Sequence, residues 1–486
     1  MSERQRAQTS GRASASEPDG DGVRGRSSRH EQLNPLGVLL GSFEGTTAPA
    51  WLLDLVGDGL GGVLLFAQNV VDDEQVAELC AALHAARADV VVAIDEEGGD
   101  VTRLDAARGS DTPSPAAFGD VDDVDATTAA FAGLGARLAR LGIDLTLAPV
   151  ADVNSDPRNP VIGVRSFGSD PELVARHVVA ATSGWRAGGV ATCAKHFPGH
   201  GDTTADTHLG SARVDAPMDV LMRRELVPFA AAIDAGVDAV LTAHIVAGAL
   251  DDAPVSLSVP WHRRLRKQMG FDGVIITDAL DMAAVASDDA AVSALAAGAD
   301  LLCLGSNLDE RRTVQVAERI AVAVAEGRLD PDVLARSAAR VARLTRTLMR
   351  SVPPAVDIAR RALDVTGTIP PGPFTVVECR PAPSMASFNV AWGLSTVLGD
   401  RDWPLTCVTS ADAVPDSTVP TVVVVRDAGV HTWQQDVIAR CAHDRPTVVV
   451  EMGWPSGRQW DVAASIVTHG AARSSALAVL ELLEGK

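Results

Sequence analysis

The chain is short of basic charge, long apolar runs and paired cysteines, and each shortage closes off a class of function. Its 42 Lys and Arg stand against 63 Asp and Glu, a formal net charge of −21. That argues against a nucleic-acid binder, because neutralising phosphates takes a basic face. A locally basic pocket for a phosphate or sugar phosphate remains compatible with it. No stretch of 18 apolar residues occurs, so no membrane span is expected. The six cysteines (Cys80, Cys193, Cys303, Cys379, Cys407 and Cys441) are scattered with no C-x-x-C pair. Most sit in apolar runs and read as buried free thiols in a reducing compartment. The first 32 residues are rich in Ser, Arg, Gly and Asp and lack an apolar signal-peptide segment. They read as a disordered tail, and the cytoplasm is the expected location. No G-x-x-x-x-G-K-[ST] loop is present. The one G-x-G-x-x-G match, GDGLGG at 57–62, precedes an apolar run instead of following one, so it lacks the context of a dinucleotide site.

What the chain does have is a repeated apolar pattern, with 47% hydrophobic residues. Eight short runs recur at wide intervals: VLLGSF (38–43), GVLLF (62–66), VVVAID (90–95), DLTLAP (144–149), ATCAKH (191–196), AVLTAH (239–244), GVIITD (273–278) and LLCLG (301–305). Between them lie segments with helical periodicity, such as DEQVAELCAALHAARA and DPELVARHVVAATSGWRAGG. Runs that are apolar without alternation suit strands buried on both faces. Eight strand-then-helix units predict a (β/α)8 barrel over 33–350, with an open doubly wound sheet as the competing arrangement. A weaker series follows: FTVVEC, PLTCVT, TVVVVR, TVVVEMG and SIVTHG. It predicts a smaller C-terminal α/β domain with a parallel sheet over 374–486, after a linker at 351–373. No catalytic constellation is visible there, so it reads as a packing or dimerisation domain, or one that reaches a loop over the barrel mouth.

Asp95, Asp152, Lys195, His196, His244 and Asp278 all fall at or just after the end of a predicted strand. In a barrel those ends share one face, where active sites are built. The segment KHFPGHGDTTADTH (195–208) begins at such an end and runs on as a Gly-rich loop. Three readings are open for it. It could be a satisfied structural connection. It could be a metal site in which His196, His200 and His208 converge with Asp202 or Asp206, although its spacing matches no familiar zinc pattern. It could also do acid–base chemistry: Asp206 lies two residues from His208, and a carboxylate that accepts one imidazole N–H raises the basicity of the other nitrogen. Asp278, at the end of GVIITD, is either a nucleophile toward an anomeric carbon or the N-cap of the next helix. Asp281 reads as that helix's first-turn acid. Asp95 and Arg165 could bind sugar hydroxyls or form structural ion pairs.

Four segments in order, DEEGG, NPVIGVRSFG, KHFPGHGDTTADTH and FDGVIITDAL, resemble glycoside hydrolase family 3, in its branch of NagZ-like β-N-acetylglucosaminidases (β-N-acetylhexosaminidases). The resemblance covers roughly residues 35 to 345 and more loosely the C-terminal domain. It implies Asp278 as nucleophile and His208, paired with Asp206, as general acid and then base. Asp95, Arg165, Lys195 and His196 would hold the sugar, His244 would be a further pocket residue, and His200 would shape the loop. The implied reaction is a double displacement with retention, acting on β-linked N-acetylglucosamine in cell-wall (peptidoglycan) fragments. Neither metal nor cofactor is implied. A neutral imidazole does not repel anions, so phosphate is the alternative acceptor and phosphorolysis the alternative reaction. A sugar-binding barrel without catalysis is a third reading. Two positions depart from the family pattern. Asp100 in DEEGGDV stands where a basic residue is usual, which leaves the local pocket charge open. The loop ends DTH instead of DSH, exchanging one small hydroxyl for another.

Overall fold

The computed structural model describes residues 34–203, 212–282, 285, 287, 289–306, 308–345, 357–383 and 390–486. The predicted tail at 1–32 lies outside them. All eight apolar runs are strands: β1 (Leu39–Gly41), β2 (Gly62–Leu65), β3 (Val91–Ile94), β4 (Leu145–Thr146), β5 (Ala191–Phe197), β6 (Ala239–Thr242), β7 (Val274–Thr277) and β8 (Leu302–Cys303). They pair in parallel in the order β8-β1-β2-β3-β4-β5-β6-β7. A parallel bridge from Ile276 to Leu301 joins the two ends. That closure makes the sheet a (β/α)8 barrel and excludes the open doubly wound arrangement.

The absence of alternation has the expected cause. Within β3, Val91 and Ala93 pack inward with Leu40, Leu64, Leu145, Cys193 and Ile276. Val92 and Ile94 pack outward in the shell beneath the helices, together with Trp185 and Trp261. Every strand position therefore meets apolar atoms whichever way it points. Some of the outer helices begin where a short polar side chain caps them. Asp72 accepts the Gln75 N–H before helix Asp73–Ala86, and Asp170 accepts the Leu173 N–H before helix Pro171–Ala187. GDGLGG spans the end of helix Ala50–Gly57 and the start of β2.

The C-terminal domain is a six-stranded sheet: β9 (Asp364–Gly367), β10 (Thr375–Cys379), β11 (Leu405–Val408), β12 (Thr421–Val425), β13 (Thr447–Glu451) and β14 (Ala464–Val467). Their order is β9-β14-β13-β12-β10-β11. The five predicted runs are all strands and all parallel, with apolar residues on both faces: Val376, Val422, Val424, Val448 and Val450 on one, Val377, Val423, Val425 and Val449 on the other. The expectation of a wholly parallel sheet needs one correction. Residues 364–367, expected in the linker, form β9 and pair antiparallel with β14. Their alternating, exposed composition is that of an edge strand and gives no apolar run to read. Five of the six cysteines are buried thiols, and Cys407 is exposed. Among the described residues, no helix is long and apolar enough to cross a membrane.

Candidate active site

The strand ends bring Asp95, Lys195, His196, His244 and Asp278 to one rim, as their positions in the sequence required. Lys195 and His196 are the last turn of β5 before Phe197 and are 3% and 8% exposed. The Lys195 Nζ lies 2.5 Å from Asp95 Oδ1 and 2.5 Å from Glu97 Oε1. Asp95 Oδ2 takes a second cation, Arg103 Nη2, at 2.7 Å. Glu97 is held bidentately by Arg165, with Nε–Oε2 at 2.9 Å and Nη2–Oε1 at 2.7 Å. Arg165 sits at the end of a short 3₁₀ turn, Gly163–Arg165, and its Nη1 donates to the Val161 carbonyl at 2.9 Å.

Burial opposes charge on all these groups, and the alternation of sign overcomes it. Burial pushes the Asp95 carboxyl up, but Lys195 and Arg103 hold it well below the usual carboxylate range. Glu97 is likewise buried and is likewise held low, by Arg165 and Lys195. Burial would lower the Lys195 ammonium, yet Asp95 and Glu97 leave it raised. The floor of the rim is thus a fixed array of ionised donors and acceptors.

His196 is fixed from below. Its Nδ1 donates to Asp152 Oδ2 at 2.7 Å, and its Nε2 accepts from Arg165 Nη2 at 3.4 Å. Asp152 also accepts the backbone N–H of His200 at 2.7 Å. Although fully buried, it is held below the usual carboxylate range by His196 and His200. His200 contacts Thr203 Oγ1 through Nδ1 at 2.8 Å. Burial and the neighbouring His196 bring its pKa down to about 4, so it is neutral at pH 7 and shapes the loop. The loop is cramped: a Cβ at Gly201 would stand 1.8 Å from the Val153 carbonyl oxygen. Asn159, from NPVIGVRSFG, donates to the His200 carbonyl at 2.8 Å and ties the two loops together. Of the donors of the metal reading, His196 pairs with Asp152, His200 with Thr203 and Asp202 with Arg224. Asp206 and His208 lie outside the described residues.

Asp278 follows β7 and is half-buried. Its Oδ1 accepts the N–H of Ala279 at 2.9 Å. Among the described residues the next helix, Ala290–Ala297, starts well beyond it, so the N-cap reading of Asp278 and the first-turn reading of Asp281 do not hold. Asp281 instead accepts the Ser306 N–H at 3.1 Å, after β8. His244 lies beneath Asp278. Its Nε2 donates to the Ala279 carbonyl at 2.9 Å, and its Nδ1 meets Ser256 Oγ at 2.6 Å. Burial lowers its pKa. Both ring nitrogens meet protein partners, so this histidine fixes the backbone after Asp278.

Sequence reading passed over three members of this array. Glu97 was visible only as one acid of DEEGG, Asp152 as a strand-end carboxylate without a role, and Arg103 as part of DVTRLD. The structure also places Asp100, whose effect the sequence left open. Its carboxylate turns away from the rim, to Ser114 Oγ at 2.6 Å, the Ala471 N–H at 2.8 Å and Arg426 Nη2 at 2.5 Å. It therefore adds no charge to the pocket.

Residues 44–344 match the model of the glycosyl hydrolase family 3 N terminal domain. The chain belongs to glycoside hydrolase family 3. This family 3 member is 35% identical over 339 residues to the β-hexosaminidase A of Pseudoalteromonas piscicida, a match over 63% of this chain and 56% of that protein. It thus spans little more than half the length of that relative. It is 40% identical over 256 residues to a β-hexosaminidase of Xanthomonas euvesicatoria pv. vesicatoria (strain 85-10), covering 51% of this chain and 76% of that one. Among solved structures, a family 3 β-N-acetylglucosaminidase from Paenibacillus sp. str. FPU-7 superposes with a TM-score of 0.83 at 28% identity, over 93% of this chain and 96% of that chain. The shared extent includes the C-terminal domain.

Proposed function

We propose that the protein is a retaining exo-β-N-acetylglucosaminidase that removes terminal β-linked N-acetylglucosamine from cell-wall fragments. The observation that carries this reading is the placement of Asp278 on the same barrel rim as the ionised array of Asp95, Glu97, Lys195 and Arg165. The names of the relatives support the sugar. The buried free thiols accord with a cytoplasmic site of action on peptidoglycan-derived muropeptides.

In this reading Lys195, Arg165, Asp95 and His196 orient the hydroxyls of the terminal sugar through charge-assisted hydrogen bonds. Asp278 attacks C1 while His208 gives its proton to the glycosidic oxygen, and the aglycone leaves with that proton. Asp206 accepts the other imidazole N–H of His208 and stabilises its cationic form. The imidazole, now neutral, takes a proton from water as the water oxygen attacks C1. The Asp278 carboxylate departs, and N-acetylglucosamine is released with its β configuration retained.

The experiment is turnover of nitrophenyl β-N-acetylglucosaminide with and without phosphate, with the sugar product identified. Free N-acetylglucosamine in both buffers is expected. N-acetylglucosamine 1-phosphate with a large rate gain would overturn hydrolysis in favour of phosphorolysis. No turnover in either buffer would overturn the enzymatic reading.

A further inference from the structure

We infer that the C-terminal domain positions the sugar-binding array by clamping Asp100, so that Asp100 and Arg426 are positioning residues for a reaction that neither touches. The inference rests on the rim being the sugar subsite proposed above.

The loop after β3 makes a tight turn with Asp100 at its tip. The Glu97 N–H donates to the Val101 carbonyl at 2.9 Å, and the Gly99 N–H donates to the Thr112 carbonyl at 2.9 Å. Glu97 lies three residues before the tip and Arg103 three residues after it, one on each leg of the turn. Glu97 holds Arg165 and Lys195, and Arg103 holds Asp95. The tip itself is 4% exposed.

What buries the tip is the C-terminal domain. Arg426 directly follows β12, and Ala471 lies shortly after β14. Both stand at the C-terminal ends of parallel strands, the edge at which such sheets gather ligands. Here the group gathered there is the carboxylate of Asp100. Arg426 is fixed in turn: its guanidinium lies 5.6 Å from the Trp392 ring centroid. Glu451 accepts the N–H groups of Asp427 and Ala428, the next two residues, at 2.8 and 3.0 Å. The approach is close, since a Cβ on Gly470 would stand 2.0 Å from Ser114 Oγ. A second tie, from the Ala391 N–H to the Ala106 carbonyl at 2.8 Å, holds the same loop further along. A buried carboxylate that loses its cation is left uncompensated, so the turn would shift to rehydrate it. The two legs that carry Glu97 and Arg103 would shift with it.

The test uses the full chain with Arg426→Met, which keeps an unbranched side chain and removes the guanidinium, together with Asp100→Asn, Arg426→Lys and the Asp100→Asn/Arg426→Met double variant. For Arg426→Met, KM for nitrophenyl β-N-acetylglucosaminide is expected to rise about tenfold or more, with kcat within about threefold of the parent. Amide hydrogen exchange across residues 96–106 is expected to speed up. Arg426→Lys should recover part of the KM, and the double variant should be no worse than the worse single variant. A folded Arg426→Met protein with KM within about twofold of the parent and unchanged exchange at 96–106 would overturn the clamp. So would a lowered unfolding temperature with KM unchanged, which would reduce the contact to domain packing. If the parent itself does not turn over the glycoside, the functional reading fails, and the exchange rates at 96–106 still decide whether Arg426 holds the turn.

Discussion

The Lys195 ammonium stands between two carboxylates, 2.5 Å from Asp95 Oδ1 and 2.5 Å from Glu97 Oε1. Arg103 and Arg165 occupy the remaining faces of those carboxylates. Lys195 thus meets two carboxylates, and Asp95 and Glu97 each meet two cations. Such an array keeps its geometry when sugar hydroxyls replace water, which is the condition for orienting a neutral, hydroxyl-rich ligand.

Glu97→Gln removes one anion from between two buried cations. Loss of one partner from a buried pair typically costs about 3–5 kcal/mol. Denaturant unfolding at pH 7 should show a midpoint lowered accordingly, and KM should rise. An unchanged midpoint would show that Lys195 and Arg165 are satisfied without Glu97.

Asp278→Asn should lower kcat/KM by roughly 10³-fold or more, because an amide cannot form the covalent glycosyl ester. Mass spectrometry of the parent quenched during turnover should show one N-acetylhexosaminyl adduct on the peptide containing residues 273–282. Parent-like activity in the variant would remove Asp278 from the nucleophile role.

Asp152→Asn tests the support under His196. An amide can present its NH₂ to Nδ1 and force the other tautomer, turning Nε2–H toward the Arg165 guanidinium. The expected result is a fall in kcat/KM of about ten- to a hundredfold with the fold retained, read by kinetics and by imidazole ¹⁵N shifts. A variant with unchanged kinetics would make the Asp152–His196 contact purely structural.

Glu96 gives a pH prediction. It is fully buried, burial pushes its carboxyl up to about 7, and among the described residues its Oε1 has no hydrogen-bond partner. Its ordinary value is 4.5. Between the two values the folded protein holds a proton that the unfolded chain has released, so this group lowers stability as pH rises through the window, and contributes nothing below it. Glu96→Gln should therefore flatten the fall in stability between about pH 4.5 and 7, a change on the order of a few kcal/mol at neutral pH. Urea unfolding of parent and variant across that range measures it. Parallel curves would mean that Glu96 titrates normally.

Most of the architecture was legible because a strand covered on both faces must be apolar at every position, and that is a local property. All eight barrel strands and the five parallel strands of the second sheet fall on apolar runs. The edge strand β9 was missed because one covered side leaves it polar and exposed. Asp278, Asp95, Lys195 and His196 were legible as strand-end residues, since a closed barrel leaves a side chain there one place to go. His244 was expected as a further pocket residue, and its contacts with Ser256 and the Ala279 carbonyl show it holding the backbone after Asp278.

The sequence by itself determined where the barrel strands and the parallel strands of the second sheet lie, and that Asp95, Lys195, His196 and Asp278 stand at strand ends. Each of these follows from periodicity and from the fixed direction of a strand. Only the tertiary structure decided which charge meets which. Lys195 finds Asp95 across 100 residues of chain, Arg165 finds Glu97 across 68, and Asp100 finds Arg426 in the other domain. Ion pairing depends on distance in space, and apolar patterning, which builds the strands, carries no record of which polar ends will face each other.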